Sequence, residues 1–377
     1  TGTLSINCTI EPAPPASWPP AAPTLTSGYG SSLARRNSAS VRSMLARAAN
    51  NLYWMSRHIE RAENAARMLD VTYRMSLLPY RVLEEGQEWA DPWALPLVIT
   101  GRATDYYQRY SQVTPANILN FMVLDSTNPS SIYSCMQSAR ENARSVRGAI
   151  SSEMYEDLNA LWLAMRKVDY AQIESRGVSE FFDWVKLQSH QFRGVTVGTM
   201  LRDEGYRFIR LGLFMERADN TARILDVKYH TLLPSVADVG GAVDYYQWSA
   251  LLRSVSAFDA YRKVYRDVIT PVKVAELLIL RDDVPRSLHA CMNDIYDILR
   301  DLSDDTQLEA ERMAGELHAK LHYGRTAQIF ALGLHEYLMQ FLDGIDALAT
   351  EINRDFLAPV YPPHAVLANA NTQTQIS

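Results

Sequence analysis

One stretch of this chain occurs twice, and that constrains its fold more than any other feature. Residues 44–73 read MLARAANNLYWMSRHIERAENAARMLDVTY, and residues 200–229, displaced by 156 positions, read MLRDEGYRFIRLGLFMERADNTARILDVKY. From Glu60 to Tyr73, ten of fourteen positions are identical in the second copy, among them Glu60/Glu216, Arg61/Arg217, Asn64/Asn220, Arg67/Arg223 and Asp70/Asp226. The same displacement pairs Ser43 with Thr199, Pro115 with Pro271, Leu124 with Leu280, Pro129 with Pro285, and Cys135-Met136 with Cys291-Met292. One register held across four separated segments reads as an internal duplication, so the fold must accommodate two equivalent halves.

The repeated stretch has helical periodicity. Its apolar positions in the first copy are Leu45, Ala48, Leu52, Met55, Ile59, Ala62, Ala66, Leu69 and Tyr73, with spacing that alternates between three and four. The second copy gives Leu201, Phe208, Leu211, Met215, Ala218, Ala222, Leu225 and Tyr229, interrupted only at Glu204. Ser43 and Thr199 stand where N-caps would start the two helices, and Leu77-Leu78-Pro79 and Leu232-Leu233-Pro234 would stop them. Downstream, helical patterns run over 93–111 and 246–267. Thr114-Pro115 and Thr270-Pro271 open short helices with Pro at the first helical position. Asn128-Pro129 and Val284-Pro285 open longer ones. Further helices are expected over 153–167, 179–192, 308–321 and 325–352. Strand-like alternation is scarce. The expected fold is all-α: an internally duplicated helical bundle of two homologous halves, 43–198 and 199–358, related by a pseudo-twofold.

Residues 1–42 differ in kind, being rich in Pro, Ala, Ser and Thr, and read as a disordered tail; residues 359–377 read as a flexible C-terminal tail. No eighteen-residue apolar run is present, and a net charge of -6 lacks the basic stripe that nucleic-acid binding requires. Neither a membrane nor a nucleic acid is therefore expected as a partner. Three cysteines do not make a disulfide scaffold. Cys135 and Cys291, at equivalent positions in helical patterns, read as small buried core residues, and the cytoplasm is the expected compartment.

Glu60, Asn64 and Arg67 share a helix face, and Glu63 and Asp70 flank Arg67 at pairing distance along the helix. These polar residues lie beside an apolar seam and recur in the second copy. One reading is a partly buried salt-bridge and amide network that fixes how the two long helices cross. The other is a site near the pseudo-twofold, where Arg67 and Arg223 grip a carboxylate or phosphate and Glu60 and Glu216 bind an amine or a metal. Di-metal carboxylate bundles add a His three residues after the Glu, and neither copy has one, so no metal or other cofactor is expected there. His318 and His322 have the i, i+4 spacing of paired metal ligands. Their counterparts in the first half are Trp162 and Arg166 and no Glu follows His318, so they form only a weak metal candidate. No phosphate-binding glycine loop, nucleophile elbow or HExxH pattern occurs.

Through the segment MLARAANNLYWMSRHIERAENAARMLDV, the chain resembles the α-E domain family of bacterial helical domains, over roughly Met44 to Asp355. Glu60, Arg61, Asn64 and Arg67, and in the second copy Glu216, Arg217, Asn220 and Arg223, match the family pattern and are the candidate ligand-binding residues. Residues ahead of Met44 depart from the standalone members. Family members are encoded beside or fused to circularly permuted ATP-grasp ligase-like proteins, and often beside transglutaminase-like peptidase homologues. The resemblance therefore implies an accessory partner of an ATP-grasp-type amide or peptide ligase, binding the ligase and its peptide or amino-acid substrate. Two alternatives stand beside it: an enzyme with a paired Glu/Arg active site between the halves, and a purely structural scaffold.

Overall fold

A computed structural model describes residues 37–77, 92–230, 241–303 and 308–358. Among these every regular element is helical and there is no strand. The first long helix, α1 (Asn37–Ser76), is followed by short pieces α2 (Leu95–Ile99), α3 (Ala103–Tyr107) and α4 (Pro115–Leu119). Then come α5 (Ile132–Ser145), α6 (Ser152–Met165), α7 (Tyr170–Arg176) and α8 (Val178–Thr199). The second long helix, α9 (Glu204–His230), leads into α10 (Ala242–Ser254), α11 (Phe258–Tyr265), α12 (Pro271–Ala275), α13 (Leu288–Ser303), α14 (Glu309–His322), α15 (Thr326–Leu332) and α16 (Leu334–Ile352).

The 156-residue displacement seen in the sequence recurs in element boundaries. Thr114 and Thr270 both cap a five-residue helix by accepting from Asn117 N and Lys273 N. Each of these helices runs straight into a π-helical turn, Asn120–Leu124 and Glu276–Leu280. Gly177 and Gly333, at φ of 110° and 104°, separate a seven-residue helix from a long one in each half. Only glycine holds that backbone conformation without strain, so the break falls at the same place twice.

Packing centres on α1, which lies against α9, α5 and α8. From Leu52 to Thr72 no residue of α1 is exposed, so the helix is enclosed on every side rather than along one seam. The expected seam residues Leu52, Met55, Ile59, Ala62, Ala66 and Leu69 are buried, as are Phe208, Leu211, Met215, Ala218, Ala222 and Leu225 on α9. Cys135 and Cys291 are buried, unpaired thiols, and burial pushes both up to about 12, which leaves them protonated and inert.

Several boundaries differ from expectation for local reasons. Ser43 is inside α1 rather than at its cap. Thr199 ends α8, its hydroxyl donating to Val195 O, and Asp203 accepts from Tyr206 N at the start of α9 instead. Leu201, in the break between those helices, is 77% exposed and takes no part in the seam. The longer helices begin at Ser131 and Ser287, whose hydroxyls accept from Ser134 N and Ala290 N, and not at Pro129 and Pro285. The stretches 93–111 and 246–267 are each broken, as is 325–352 at Gly333. The tail expected over 1–42 falls outside the described residues as far as 36, and α1 already begins at Asn37. The expected stops at Pro79 and Pro234 and the tail 359–377 also lie outside the described residues.

Where α1 and α9 meet, Gly212 allows the closest approach: a Cβ built there would sit 2.2 Å from Tyr53 O. The obstacle is backbone, which cannot rotate away. A Gly212→Ala variant is expected to lose about 2–3 kcal/mol or more through forced separation of the helices. Gly194→Ala, in open space on α8, should instead gain about 0.5–1 kcal/mol from helix propensity. Urea unfolding of both variants checks this, and equal midpoints would contradict the close-crossing account.

Candidate functional site

The repeated Glu-Arg pair is at the crossing of α1 and α9, and each copy pairs with the other. Arg61 grips Glu216 with two parallel bonds, Nε to Oε1 at 2.6 Å and Nη2 to Oε2 at 2.8 Å. In return Arg217 grips Glu60, Nε to Oε1 at 3.0 Å and Nη2 to Oε2 at 3.2 Å. The reason is geometric. Adjacent residues on a helix point about 100° apart, so Glu and Arg of one copy cannot meet each other. Two helices crossing at this point bring each Glu opposite the other helix's Arg, and the planar guanidinium matches the carboxylate bidentately.

Around these two bridges the halves differ. Glu216 also accepts from Arg57 Nε at 2.9 Å, while Arg57 donates to the Tyr53 hydroxyl at 3.1 Å. Glu60 accepts from Arg286 at 2.7 Å and from Arg193 at 3.0 Å. Arg286 continues to Asn64 Oδ1 at 3.0 Å and Glu63 Oε1 at 2.7 Å, and Arg193 also reaches Glu63. Glu63 further accepts from Ser189 Oγ at 2.7 Å. Three buried carboxylates are therefore held by arginines from α1, α8, α9 and the segment preceding α13. Each of these three carboxylates has the paired, hydrogen-bonded surroundings that make its burial tolerable.

Of the remaining candidates, Asn64 shares Arg286 with Glu60, whereas Arg67 and Arg223 make no bond to either bridge. Arg67 binds Glu63 one turn back at 2.8 Å and faces His190 Nε2 at 3.2 Å. Arg223 binds Asp219 one turn back at 3.0 Å. Arg67 and Arg223 are thus each engaged on their own helix. Asp70 does not pair with Arg67; it accepts from Arg74, Ser179 and Lys186. Asn64 and Asn220 each keep a buried side-chain N–H group without a hydrogen-bond acceptor. A hollow of about 410 Å³ reaches Arg217 from outside, between Phe214 and Pro285, but neither Glu60 nor Glu216 lines it.

Sequence reasoning missed Arg57, Arg193 and Arg286. Their counterparts at the repeat displacement are Leu213, Ala349 and Ser130, so the repeat that revealed Glu60 and Glu216 carried no signal for them. The weak candidate His318–His322 is on α14, well separated in sequence from the crossing, and acquires a third histidine described below.

The electrostatics follow from the pairing. Burial alone would push the Glu216 carboxyl up, but the Arg61 and Arg57 guanidiniums beside it pull it down to about 2. Burial also opposes ionisation of Glu60 and Glu63; Arg217, Arg286 and Arg193 prevail at Glu60, and the His190 hydrogen bond together with Arg286, Arg193 and Arg67 prevails at Glu63, holding both below the usual carboxylate range. At neutral pH all three are anions. A group used for proton transfer needs a pKa near the working pH, and these are displaced the other way.

A family named Alpha-E, described as a predicted alpha-helical domain with a conserved ER motif, matches residues 44–357. Uncharacterized proteins of Mycobacterium bovis and Mycobacterium tuberculosis are 24% identical to this chain over 334 residues. The match covers 81% of this chain and 36% of each relative, so the chain spans little more than a third of their length. No solved structure matches it.

The depressed carboxylate pKa values set a pH dependence. Glu216 lies lower folded than unfolded, so its contribution is complete above its ordinary value near 4.5 and is lost as pH falls toward 2. That shift corresponds to roughly 3 kcal/mol of stability. Unfolding free energies measured from pH 6 to pH 2.5 should fall more steeply for the native chain than for Glu216→Gln. Parallel curves would contradict the assignment.

Proposed function

The chain belongs to the Alpha-E family, and on that premise we propose that it is a non-catalytic accessory component of an ATP-grasp-type amide ligase system. The observation that carries this reading is the mutual engagement of the ER motif. Glu60 and Glu216 are each clasped by arginines of the opposite copy and held ionised, so the motif supplies neither an acid, a base nor a vacant metal ligand. Its work is to fix the crossing of the two long helices. What the domain then offers is a rigid helical surface.

The length of the relatives supports a role beside another component, because the matched region makes up 36% of their chains. The partner we propose is a circularly permuted ATP-grasp ligase-like protein, with its peptide or amino-acid substrate and a transglutaminase-like peptidase homologue as further contacts. The system would act in the cytoplasm; among the described residues no helix is long and apolar enough to cross a membrane. We further propose that the two halves arose by internal duplication, supported by the recurrence of the five-residue helix, π-helical turn and glycine break at one displacement.

Co-expression with the ATP-grasp protein encoded beside such a domain tests the proposal. The two should co-elute on size exclusion, and amide formation by the ligase should fall at least tenfold when the helical chain is omitted. Separate elution with unchanged ligation would overturn it.

A further inference from the structure

Away from the crossing, α13 and α14 bring three histidines together. His289 stands in the first turn of α13, and His318 and His322 stand one turn apart on α14. One ligand nitrogen from each lies within 4.8 Å of the other two, the one such group of three among the described residues. The ring centroids of His289 are 5.8 Å from those of His318 and 5.5 Å from those of His322.

His289 is the informative member. It is 95% buried, being 5% exposed, and its Nδ1 is 2.8 Å from the carbonyl oxygen of Leu280, at the end of the π-helical turn. A carbonyl only accepts, so Nδ1 carries the proton and the lone pair is on Nε2. That Nε2 is buried and has no hydrogen-bond partner. A buried acceptor left unsatisfied costs about 1–3 kcal/mol, which a fold avoids unless something else occupies the position. An imidazole whose Nδ1–H is fixed by a backbone carbonyl, with a bare Nε2 and two further imidazoles beside the ring, has the outer-shell arrangement of a metal-ligating histidine.

The other half shows what the fold uses there when no ligands are needed. The positions equivalent to His289, His318 and His322 are Tyr133, Trp162 and Arg166. Tyr133 and Trp162 pack edge to face at 5.0 Å. Aromatic packing therefore suffices for this helix contact, and three imidazoles are a departure from it. Tyr296 stacks on His318 at 5.2 Å and braces the ring, while His322 is exposed and stacks on the other side of the group against His318 at 5.5 Å.

We propose that His289, His318 and His322 bind a single divalent ion of the zinc type. Tetrahedral zinc with bonds of about 2.0–2.1 Å sets imidazole nitrogens about 3.4 Å apart, a contraction that side-chain rotation on α14 supplies. Three imidazole nitrogens and no thiolate or carboxylate favour zinc or cobalt(II) over magnesium or calcium. Three protein ligands leave one position open, and with His322 at the surface that position takes water or an oxygen of a small solute. The site stands apart from the Glu/Arg bridges and does not depend on the accessory role.

The test uses the full chain stripped of metal with a chelator and titrated with zinc against a chromophoric competitor, with cobalt(II) absorbance as a second readout. The native chain should bind one equivalent, develop visible cobalt bands of tetrahedral intensity, and gain thermal stability with added zinc. His322→Ala, at an exposed position, should weaken zinc binding tenfold or more. The double variant His318→Trp, His322→Arg carries the residues of the other half, and it should lose the cobalt bands while keeping its helical circular dichroism. Absence of stoichiometric binding by the native chain, or a change of less than tenfold in His322→Ala, would overturn the proposal.

Discussion

Two buried ion pairs, Arg61 with Glu216 and Arg217 with Glu60, hold the architecture together at its centre. They are the same dipeptide used twice, each copy supplying the carboxylate for one bridge and the guanidinium for the other. Removing a carboxylate leaves arginines buried without a counter-charge, and removing an arginine weakens the case for a buried glutamate, so each position constrains the others. Gly212 allows the helices close enough for these reaches, and the apolar residues above and below fill the remaining space. A hydrophobic seam alone tolerates sliding; a bidentate pair at each side of the crossing does not.

The symmetry of the bridges makes the asymmetry around them informative. Glu216 receives one further arginine, Arg57 from its facing helix, whereas Glu60 receives Arg286 and Arg193 from elsewhere in the fold. Arg286 and Arg193 both also reach Glu63, so the first half's long helix is tied to α8 and to the approach to α13. The corresponding second-half residue, Asp219, is shorter and pairs only locally with Arg223 among the bonds described. The same approach to α13 carries Arg286 into the bridges and, three residues later, His289 into the histidine group.

Much of this was legible in the sequence, and the reasons are specific. The helical class followed from three-four apolar spacing, and the displacement that aligned Pro115 with Pro271 also aligned the capped helices they open. The Glu/Arg pairs were found because they stand in both copies beside the apolar seam. What could not be read was the pairing partner: a linear pattern places Glu60 near Arg67 and Asn64, and only the crossing reveals Arg217. Arg57, Arg193 and Arg286 escaped because nothing repeats at their counterparts. Helix starts differ from the sequence pattern where a serine or aspartate a few residues on provides a better cap than the proline or threonine that the pattern favours. His289 was invisible as a partner of His318 and His322 because it stands on another helix, with no fixed spacing to announce it.

The architecture requires the bridges to be coupled across the crossing, and a double-mutant cycle of Arg61→Met and Glu216→Gln measures that coupling directly. Unfolding free energies of the native chain, both single variants and the double variant should show the pair interacting by about 2 kcal/mol or more, because Glu216→Gln leaves Arg61 without its carboxylate and Arg61→Met leaves the buried Glu216 with Arg57 alone. Additive losses, with no coupling beyond a few tenths of a kcal/mol, would mean that the motif does not hold the two helices together.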